Sequence, residues 1–126
     1  MSSMKFTKDH EWVRIEGDGT GTVGITDYAQ EQLGELVYVE LPEIDAEVEK
    51  GVESGVVESV KAAGDMKSPV TGSVVEVNES LADEPGKINE DPLGEGWIFK
   101  VKLAEDSGVD ELMDQADYDE YVEELS

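Results

Sequence analysis

The segment VVESVKAAGDMKSPVTGSVVEV, Val56–Val77, places Lys61 between two stretches that are rich in valine. Each stretch has the length and the β-branched residues of a strand. The small residues after Lys61 allow a sharp turn, in which Gly64 takes a positive φ at little cost. The segment therefore predicts a β-hairpin, with Lys61 projecting from its tip.

Lys61 has three interpretations on these residues alone. An ordinary surface lysine is the most common case. A catalytic Schiff-base lysine needs a desolvated pocket or a neighbouring cation to lower its pKa from about 10.4, whereas Glu58 and Asp65 are acidic neighbours. A modification site fits the hairpin better than catalysis, because a ligase needs a protruding amine at a defined place on a rigid scaffold. The choice between an unmodified and a modified lysine stays open at this point.

The rest of the chain has the pattern of a mainly β protein with short helices. Thr26 and Asp27 are N-cap types ahead of a helix over 27–33, and Gly34 provides its stop. Capping-box patterns that begin at Ser107 and Asp117 predict two C-terminal helices. Many short strands with Gly-rich turns indicate a sandwich or barrel of sheets with peripheral helices. The strands are predicted from short apolar or alternating runs at 11–16, 20–25, 36–41, 46–48, 55–60, 66–69, 73–77 and 96–103.

The length of the chain favours one domain, because 126 residues suffice for one core and are too few for two. We expect a single domain, residues 1–126, with a core at about 5–104 and C-terminal helices at about 107–125. No apolar run approaches the roughly 20 residues of a membrane span, and the N-terminus lacks a signal-peptide pattern. We therefore expect a soluble, cytoplasmic protein without a membrane partner. The lack of cysteine excludes disulfides, thiolate metal ligands and cysteine nucleophiles.

The chain is strongly acidic, with 32 Asp and Glu residues against 9 Lys and Arg residues and a net charge of −23. High salt screens such charges, since the Debye length falls to about 3 Å at 1 M, so the composition indicates a halophilic cytoplasm. An ordinary acidic protein or a disordered acidic tail is the alternative, but the acidic residues are spread along the chain. There is no basic patch to neutralise phosphates, so we expect no nucleic-acid partner.

Four segments of the chain, in order, resemble the H proteins of the glycine cleavage system. Together they span nearly the whole chain at the spacing of that family, which makes the match specific. The resemblance implies the lipoyl type of barrel-sandwich hybrid, with two antiparallel sheets and Lys61 at a hairpin tip. The four segments are HEWV (His10–Val13), TVGITDYAQEQLGELVYVELPE (Thr22–Glu43), ESVKAAGDMKSPVTGSVVEVN (Glu58–Asn78) and NEDPLGEGWIFKVK (Asn89–Lys102).

The resemblance implies a carrier that is not itself an enzyme and has no catalytic residue. In that family, lipoic acid bound covalently to the lysine at the position of Lys61 receives the aminomethyl group of glycine at the P protein, a pyridoxal-phosphate glycine decarboxylase. The group goes to the T protein, an aminomethyltransferase, and reducing equivalents return to the L protein, a dihydrolipoamide dehydrogenase. A lipoate-attaching enzyme is the fourth implied partner. The need to serve several partners, together with the net charge, favours a monomer.

Two other functions stay open on the sequence. An H-like protein with the same residue pattern acts mainly as a lipoyl donor or relay for other lipoate-dependent enzymes. An enzyme or an acidic binding module with an unmodified Lys61 is the third class, and the four segments disfavour it. Biotin is the less expected cofactor, because biotin carriers usually have Met on both sides of the lysine, whereas Val60 and Ala62 flank Lys61 here.

The resemblance also implies which residues contact the loaded arm. By motif position, Glu11 of HEWV faces the cleft that shelters the arm and pairs with its cationic amine through a charge-assisted hydrogen bond. The alternative for Glu11 is a solvated strand carboxylate. Asp27 and Tyr28, at the helix start, are further candidates for contact with the arm. His10 is the single histidine and, without Cys or a second His, forms no dyad or metal cluster, so we interpret it as structural.

The sequence departs from the family's pattern at two positions. Gly64 stands where Ser or Thr is frequent, and Leu93 stands where an aromatic residue, usually Tyr, is frequent. Both departures leave the lysine in place and affect the turn and the lining of the cleft.

Overall fold

The computed structural model describes residues 3–16, 18–105 and 107–125. None of the helices in these ranges has both the length and the apolar character that crossing a membrane requires. The strands are β1 (Ser3–Phe6), β2 (Glu11–Ile15), β3 (Thr20–Ile25), β4 (Leu36–Glu40), β5 (Glu47–Val48), β6 (Glu53–Ser59), β7 (Ala63–Lys67), β8 (Gly72–Val77) and β9 (Phe99–Leu103). The helices are α1 (Asp27–Leu33), α2 (Ser80–Asp83), α3 (Lys87–Glu90) and α4 (Gln115–Leu125), with a 3-10 helix at Val109–Glu111.

The strands form two antiparallel sheets that share one core. The larger sheet has the order β1-β2-β3-β9-β8-β5 and the smaller one has the order β4-β6-β7. Alternate residues of a strand point to opposite faces, so each sheet directs one row of apolar side chains inward. Val13, Val23 and Val101 of the larger sheet are fully buried in one cluster with Val39 and Val57 of the smaller sheet. This arrangement confirms the predicted class, a barrel-sandwich of two antiparallel sheets with short helices.

Helix α1 links the two sheets and follows the predicted signals. The N–H of Ala29 donates to Oγ1 of Thr26 at 3.2 Å, so the side chain of Thr26 caps the first turn. Gly34 ends the helix with φ of +85°, a backbone conformation that residues with a Cβ rarely adopt. The helix therefore runs from the end of β3 to the start of β4, beside the hairpin of β6 and β7.

The predicted turn after Lys61 is wrong in detail. Gly64 lies inside β7, opposite Val57 of β6, and is not one of the glycines with positive φ. The turn is instead Val60–Ala62, and the side chain of Ser59 provides its hydrogen bonds. A serine hydroxyl that bonds to nearby backbone groups can close a turn without glycine. The prediction considered only glycine and therefore missed the role of Ser59.

The last helix, the helix predicted after Ser107 and the last strand also differ from the prediction. The last helix begins at Gln115, because Oδ1 of Asp114 accepts the N–H of Asp117 at 2.9 Å, so the cap is Asp114 and not Asp117. The residues after Ser107 form a 3-10 helix of one turn. The last strand begins at Phe99, three residues later than predicted, because the backbone ahead of it is hydrogen-bonded in turns. Strand β1 and the one-turn helices α2 and α3 were not predicted.

Helix α4 packs on the outside of the larger sheet through an aromatic cluster. The ring of Tyr118 stacks on Phe6 with ring centroids 4.7 Å apart, and both are buried together with Trp12. The indole N–H of Trp12 donates to the carbonyl of Ile25 at 2.9 Å and to that of Pro92 at 3.0 Å. These contacts hold the C-terminal helix against the start of β2, where His10 and Glu11 lie.

Candidate functional site

Lys61 lies at the exposed tip of the β6–β7 hairpin, as the sequence predicts. The Oγ of Ser59 accepts the backbone N–H groups of Lys61 at 3.2 Å and Ala62 at 3.0 Å. The same hydroxyl lies 3.1 Å from the carbonyl of Ala62 and donates to it. The tip therefore has a fixed backbone while the Lys61 side chain itself is exposed.

The loop after α1 holds the tip from the other side. The N–H of Val60 donates to the carbonyl of Glu35 at 3.0 Å. The aliphatic stem of Lys61 lies over Gly34, so closely that a Cβ on Gly34 would be 2.8 Å from Cε of Lys61. The Lys61 side chain is therefore directed toward α1.

Asn89 fixes this loop with three hydrogen bonds. Its side-chain nitrogen donates to Oε1 of Gln30 at 2.9 Å and to the carbonyl of Gly34 at 2.8 Å. Its Oδ1 accepts the N–H of Leu36 at 2.9 Å. Because one side chain binds groups on both sides of Gly34, the end of α1 and the start of β4 keep a constant position against Lys61.

A cleft begins beside this tip and ends at Glu11. It has a volume of about 210 Å³ and lies between α1, the start of β2 and the inner face of the hairpin. Leu33 and Gly64 line the end near Lys61, whereas His10 and Glu11 line the far end. The remaining lining residues are Asp9, Ile25, Ala29, Gln32, Val57 and Met66.

Glu11 is a buried carboxylate, only 4% exposed, and not the solvated strand residue of the alternative interpretation. Its Oε1 accepts the hydroxyl of Thr7 at 2.9 Å, and its Oε2 accepts the backbone N–H of Lys67 at 3.3 Å. The backbone of Thr7 also pairs with that of Glu11, so both oxygens are held in place. Thr7 and the Lys67 amide were missed by the sequence reasoning, because a threonine four residues upstream and a backbone N–H 56 positions away leave no recognisable pattern.

Burial raises the pKa of Glu11 from 4.5 to about 7. The hydrogen bonds from Thr7 and Lys67 and the charge of Lys67 act in the opposite direction, but the loss of hydration is larger. A carboxyl group with such a pKa exchanges its proton near neutral pH. A cation that entered the cleft would favour its charged form, so the site is suited to bind an amine.

His10 joins the end of the cleft to α4. Its Nδ1 lies 2.8 Å from the hydroxyl of Tyr118, which lies 2.7 Å from Oγ1 of Thr26. The imidazole ring also contacts Tyr28, with ring centroids 4.5 Å apart. Burial lowers the pKa of His10, with the charge of Asp9 acting against this effect, so the ring is mostly neutral at pH 7. These contacts agree with the structural interpretation of His10, and the partner 108 positions away was not visible in the sequence.

Asp27 and Tyr28 line a different depression, between α1 and α4. This depression has a volume of about 370 Å³, and Leu93 and Tyr118 also line it. Neither Asp27 nor Tyr28 lines the cleft that contains Glu11. Their contact with an arm on Lys61 stays a prediction.

Within the described ranges, no group of three or more His, Cys, Asp or Glu residues is arranged to hold a metal ion. What the site offers is a primary amine on a fixed hairpin tip, an apolar passage beside it and a buried carboxylate at the end of that passage. These features fit a flexible group attached to Nζ of Lys61, because the amine is exposed and Gly34, which its stem covers, adjoins Leu33 of the cleft wall. Two antiparallel sheets that present a lysine in this way define a barrel-sandwich domain of the lipoyl type.

The chain matches the family model described as Glycine cleavage H-protein over residues 4–125. It is 60% identical to the glycine cleavage system H protein of Rhodospirillum rubrum over 125 residues, 99% of each chain. It is 57% identical to the protein of the same name from Vibrio vulnificus over 122 residues, 97% of each chain. A crystal structure of a glycine cleavage system H protein from Mycobacterium marinum matches with a TM-score of 0.85 at 40% identity, covering 98% of this chain and 96% of that chain.

The chain therefore belongs to the glycine cleavage H-protein family, and its place is in the glycine cleavage system. The match confirms the resemblance drawn from the four sequence segments. The family implies lipoate as the cofactor.

Proposed function

We propose that Lys61 carries lipoic acid in an amide bond, and that the protein is the non-catalytic lipoyl carrier of glycine cleavage. The observation that carries this proposal is the position of Lys61 at an exposed, fixed hairpin tip, beside a cleft that ends at the buried carboxylate of Glu11. A carrier must offer one amine to several enzymes and also shelter what that amine bears. The tip serves the first need and the cleft serves the second.

Lys61 would hold the lipoyl group, and that group would supply a redox-active disulfide able to take up the aminomethyl group of glycine. The protein's own residues provide anchorage and shelter. Ser59 and Glu35 fix the backbone on both sides of Lys61, so the attached arm starts from a constant position. The apolar walls of the cleft, among them Leu33 and Ile25, exclude water from a group that lies between them.

Glu11 holds a cationic amine at the end of the cleft in this proposal. Thr7 and the Lys67 amide aim its two oxygens, and a carboxylate that pairs with a cation at low exposure forms a stronger hydrogen bond than one in water. Because the pKa of Glu11 is about 7, its carboxyl group is ionised in only about half of the molecules near pH 7 when no cation is bound. A bound cation shifts it to the charged form, so the charge is present when it is needed.

The partners in this proposal are the P protein that decarboxylates glycine, the T protein that takes the one-carbon unit, and the L protein that reoxidises the dithiol. A lipoate-attaching enzyme modifies Lys61 beforehand. The acidic surface of the chain makes a basic or neutral docking face on each partner the favourable arrangement, since like charges oppose association.

Reconstitution with a P protein tests the carrier role. The lipoylated protein is incubated with P protein, glycine and labelled carbon dioxide, and incorporation of label into glycine is measured. We expect exchange with the parent and none with Lys61→Arg, which keeps the charge but has no amine that a lipoate ligase acylates. A lipoylated parent that supports no exchange contradicts the glycine cleavage role and favours the lipoyl donor or relay.

A second experiment tests Glu11. The Glu11→Gln variant is lipoylated and loaded with P protein and glycine, freed of P protein, and followed as it releases its amine into water. We expect release to be about tenfold faster than in the parent, because the variant loses one charge-assisted hydrogen bond, which contributes about 1.5 kcal/mol. An unchanged lifetime removes Glu11 from the proposal and leaves the role of Lys61 intact.

A further inference from the structure

Two glycines without side chains border the path from Lys61 to the cleft. The stem of Lys61 lies over Gly34, where a Cβ would meet Cε at 2.8 Å. Gly64 of β7 faces Leu33, where a Cβ would lie 3.7 Å from Cδ2 of Leu33. Leu33 is adjacent to Gly34 in the chain and lines the cleft together with Gly64.

The two glycines differ in what a side chain would do there. Gly34 has φ of +85°, so any L-residue strains its backbone regardless of the space. Gly64 lies in an ordinary strand, and the nearest atoms to a Cβ there, at 3.7 to 4.0 Å, are at ordinary contact distance. A Cβ at position 64 therefore fits the fold without a close contact, and it would point toward Leu33 of α1, which lines the cleft.

We propose that Gly64 sets how deeply the arm on Lys61 enters the cleft, by leaving open the passage between β7 and Leu33. This inference rests on the proposed lipoylation of Lys61. An arm that starts at Nζ lies first over Gly34, then passes the gap at Gly64 and reaches Ile25 and Glu11 at the far end. Gly64 acts as a positioning residue, because it selects between the sheltered arm and the free arm and touches no reacting atom.

The neighbouring residue Ala63 provides a matched control. Consecutive strand residues point to opposite faces, and Ala63 pairs with Glu58 on the outer face of the hairpin, where it is exposed. Bulk added at Ala63 is one residue nearer to Lys61 in the chain than bulk at Gly64, but it does not face the cleft. The pair Gly64→Leu and Ala63→Leu therefore separates an effect on the passage from an effect on the tip.

The test uses the arm itself as the probe. The parent, Gly64→Ala, Gly64→Leu and Ala63→Leu are lipoylated by a lipoate ligase, checked by intact mass and reduced to the dithiol. The rate at which a water-soluble aromatic disulfide reacts with the thiols is measured without any partner enzyme. We expect Gly64→Leu to react about fourfold faster than the parent, because the sheltered arm loses the contact of about one methylene group and more of the arm is then free. Gly64→Ala changes the rate in the same direction by less, and Ala63→Leu leaves it unchanged.

A redox-inactive arm gives a second readout. An octanoyl group is attached to Lys61, and the methyl signal of Ile25 is compared with that of the bare protein by NMR. We expect a shift of the same size in the parent and in Ala63→Leu, and a smaller shift in Gly64→Leu. Equal thiol rates in the parent and both Gly64 variants would overturn the role proposed for Gly64. An acceleration in Ala63→Leu equal to that in Gly64→Leu would also overturn it. Failure of the parent to accept lipoate at Lys61 would instead contradict the proposed function.

Discussion

The backbone N–H of Val60 donates a 3.0 Å hydrogen bond to the carbonyl of Glu35, and this bond joins the tip of the β6–β7 hairpin to the loop after α1. A hairpin tip in isolation moves with its two strands alone. Here the residue before Lys61 is fixed to a second element, and that element is fixed in turn by Asn89. Lys61 therefore starts from a rigid base even though its side chain is exposed.

The first prediction concerns Ser59, whose hydroxyl closes the turn that contains Lys61. Replacement of Ser59 by Ala removes the acceptor for the N–H groups of Lys61 and Ala62. We expect faster hydrogen exchange at these two amides, slower lipoylation of Lys61 by a ligase, and a fall of about 1 kcal/mol in the free energy of unfolding. Hydrogen-exchange mass spectrometry and a timed lipoylation assay measure the first two effects.

Ser54 on the same hairpin provides the control for that prediction. Its hydroxyl makes a single bond, 3.3 Å to the carbonyl of Met66, away from the tip. Ser54→Ala is expected to leave both the exchange of the tip amides and the lipoylation rate unchanged. A Ser59→Ala variant with parent-like exchange at Lys61 and Ala62 would contradict the role assigned to the hydroxyl.

The second prediction concerns pH and follows from the pKa of Glu11. This pKa is about 7 in the folded protein against an ordinary value of 4.5, so the folded state binds more protons than the unfolded state between these values. The contribution of neutral Glu11 to stability is complete below pH 4.5 and is lost as pH rises through 7. The loss is of the order of 3 kcal/mol, which follows from a pKa of about 7 against one of 4.5.

Glu11→Gln tests this dependence directly, because glutamine stays neutral throughout. We expect the difference in unfolding free energy, variant minus parent, to rise by about 2 kcal/mol between pH 5 and pH 8. The comparison cancels the titration of the other carboxyl groups, which both proteins share. Urea unfolding at several pH values measures the difference, and a difference that does not change with pH would show that Glu11 titrates normally.

The sequence predicted the site better than it predicted the backbone around it. Thr26, Gly34 and the lysine tip followed from local signals, since a cap, a helix stop and a hairpin each depend on a few adjacent residues. The position of the turn did not, because it depends on whether the hydroxyl of Ser59 hydrogen-bonds to the backbone. The same uncertainty displaced the start of α4 from Asp117 to Gln115, where Asp114 caps in its place.

The third prediction concerns the hydroxyl of Tyr118, which links His10 to the cap of α1. Tyr118→Phe keeps the ring that stacks on Phe6 and removes the bonds to Nδ1 of His10 and Oγ1 of Thr26. We expect a loss of about 1 to 2 kcal/mol in the free energy of unfolding, because the buried Thr26 and the half-buried His10 both lose a hydrogen-bond partner. Tyr121→Phe is the control, since its hydroxyl makes one exposed bond of 3.3 Å to the carbonyl of Lys8, and it is expected to cost less than about 0.5 kcal/mol.

Chemical denaturation of the two variants measures their free energies of unfolding and so tests whether the hydroxyl of Tyr118 stabilises the fold. Equal stabilities of Tyr118→Phe and Tyr121→Phe would contradict the link. This contact also marks a limit of sequence reasoning, because residues 10 and 118 meet only through the packing of α4 on the larger sheet. A composition that places one histidine among several tyrosines gives no indication of which tyrosine is its partner.

The fourth prediction concerns the net charge of −23. Four ion pairs within 4.0 Å join the described residues, so most of the acidic side chains in these ranges have no such partner. We expect the free energy of unfolding to rise with NaCl, as the Debye length falls from about 10 Å at 0.1 M to about 3 Å at 1 M. Thermal unfolding measures the rise, and repetition near pH 4, where many carboxyl groups are neutral, is expected to reduce it. A salt response of the same size at both pH values would rule out charge repulsion as its cause.

The central claim, that Lys61 carries lipoic acid, is tested most directly by mass spectrometry of the protein from its native cells. The intact mass is determined first, and peptides that cover residues 56–77 are then mapped, with Lys61→Arg expressed in the same cells as the control. We predict one lipoyl group on Lys61 of the parent and none on the variant. An unmodified Lys61, in cells whose other lipoate-dependent proteins are lipoylated, would contradict the account.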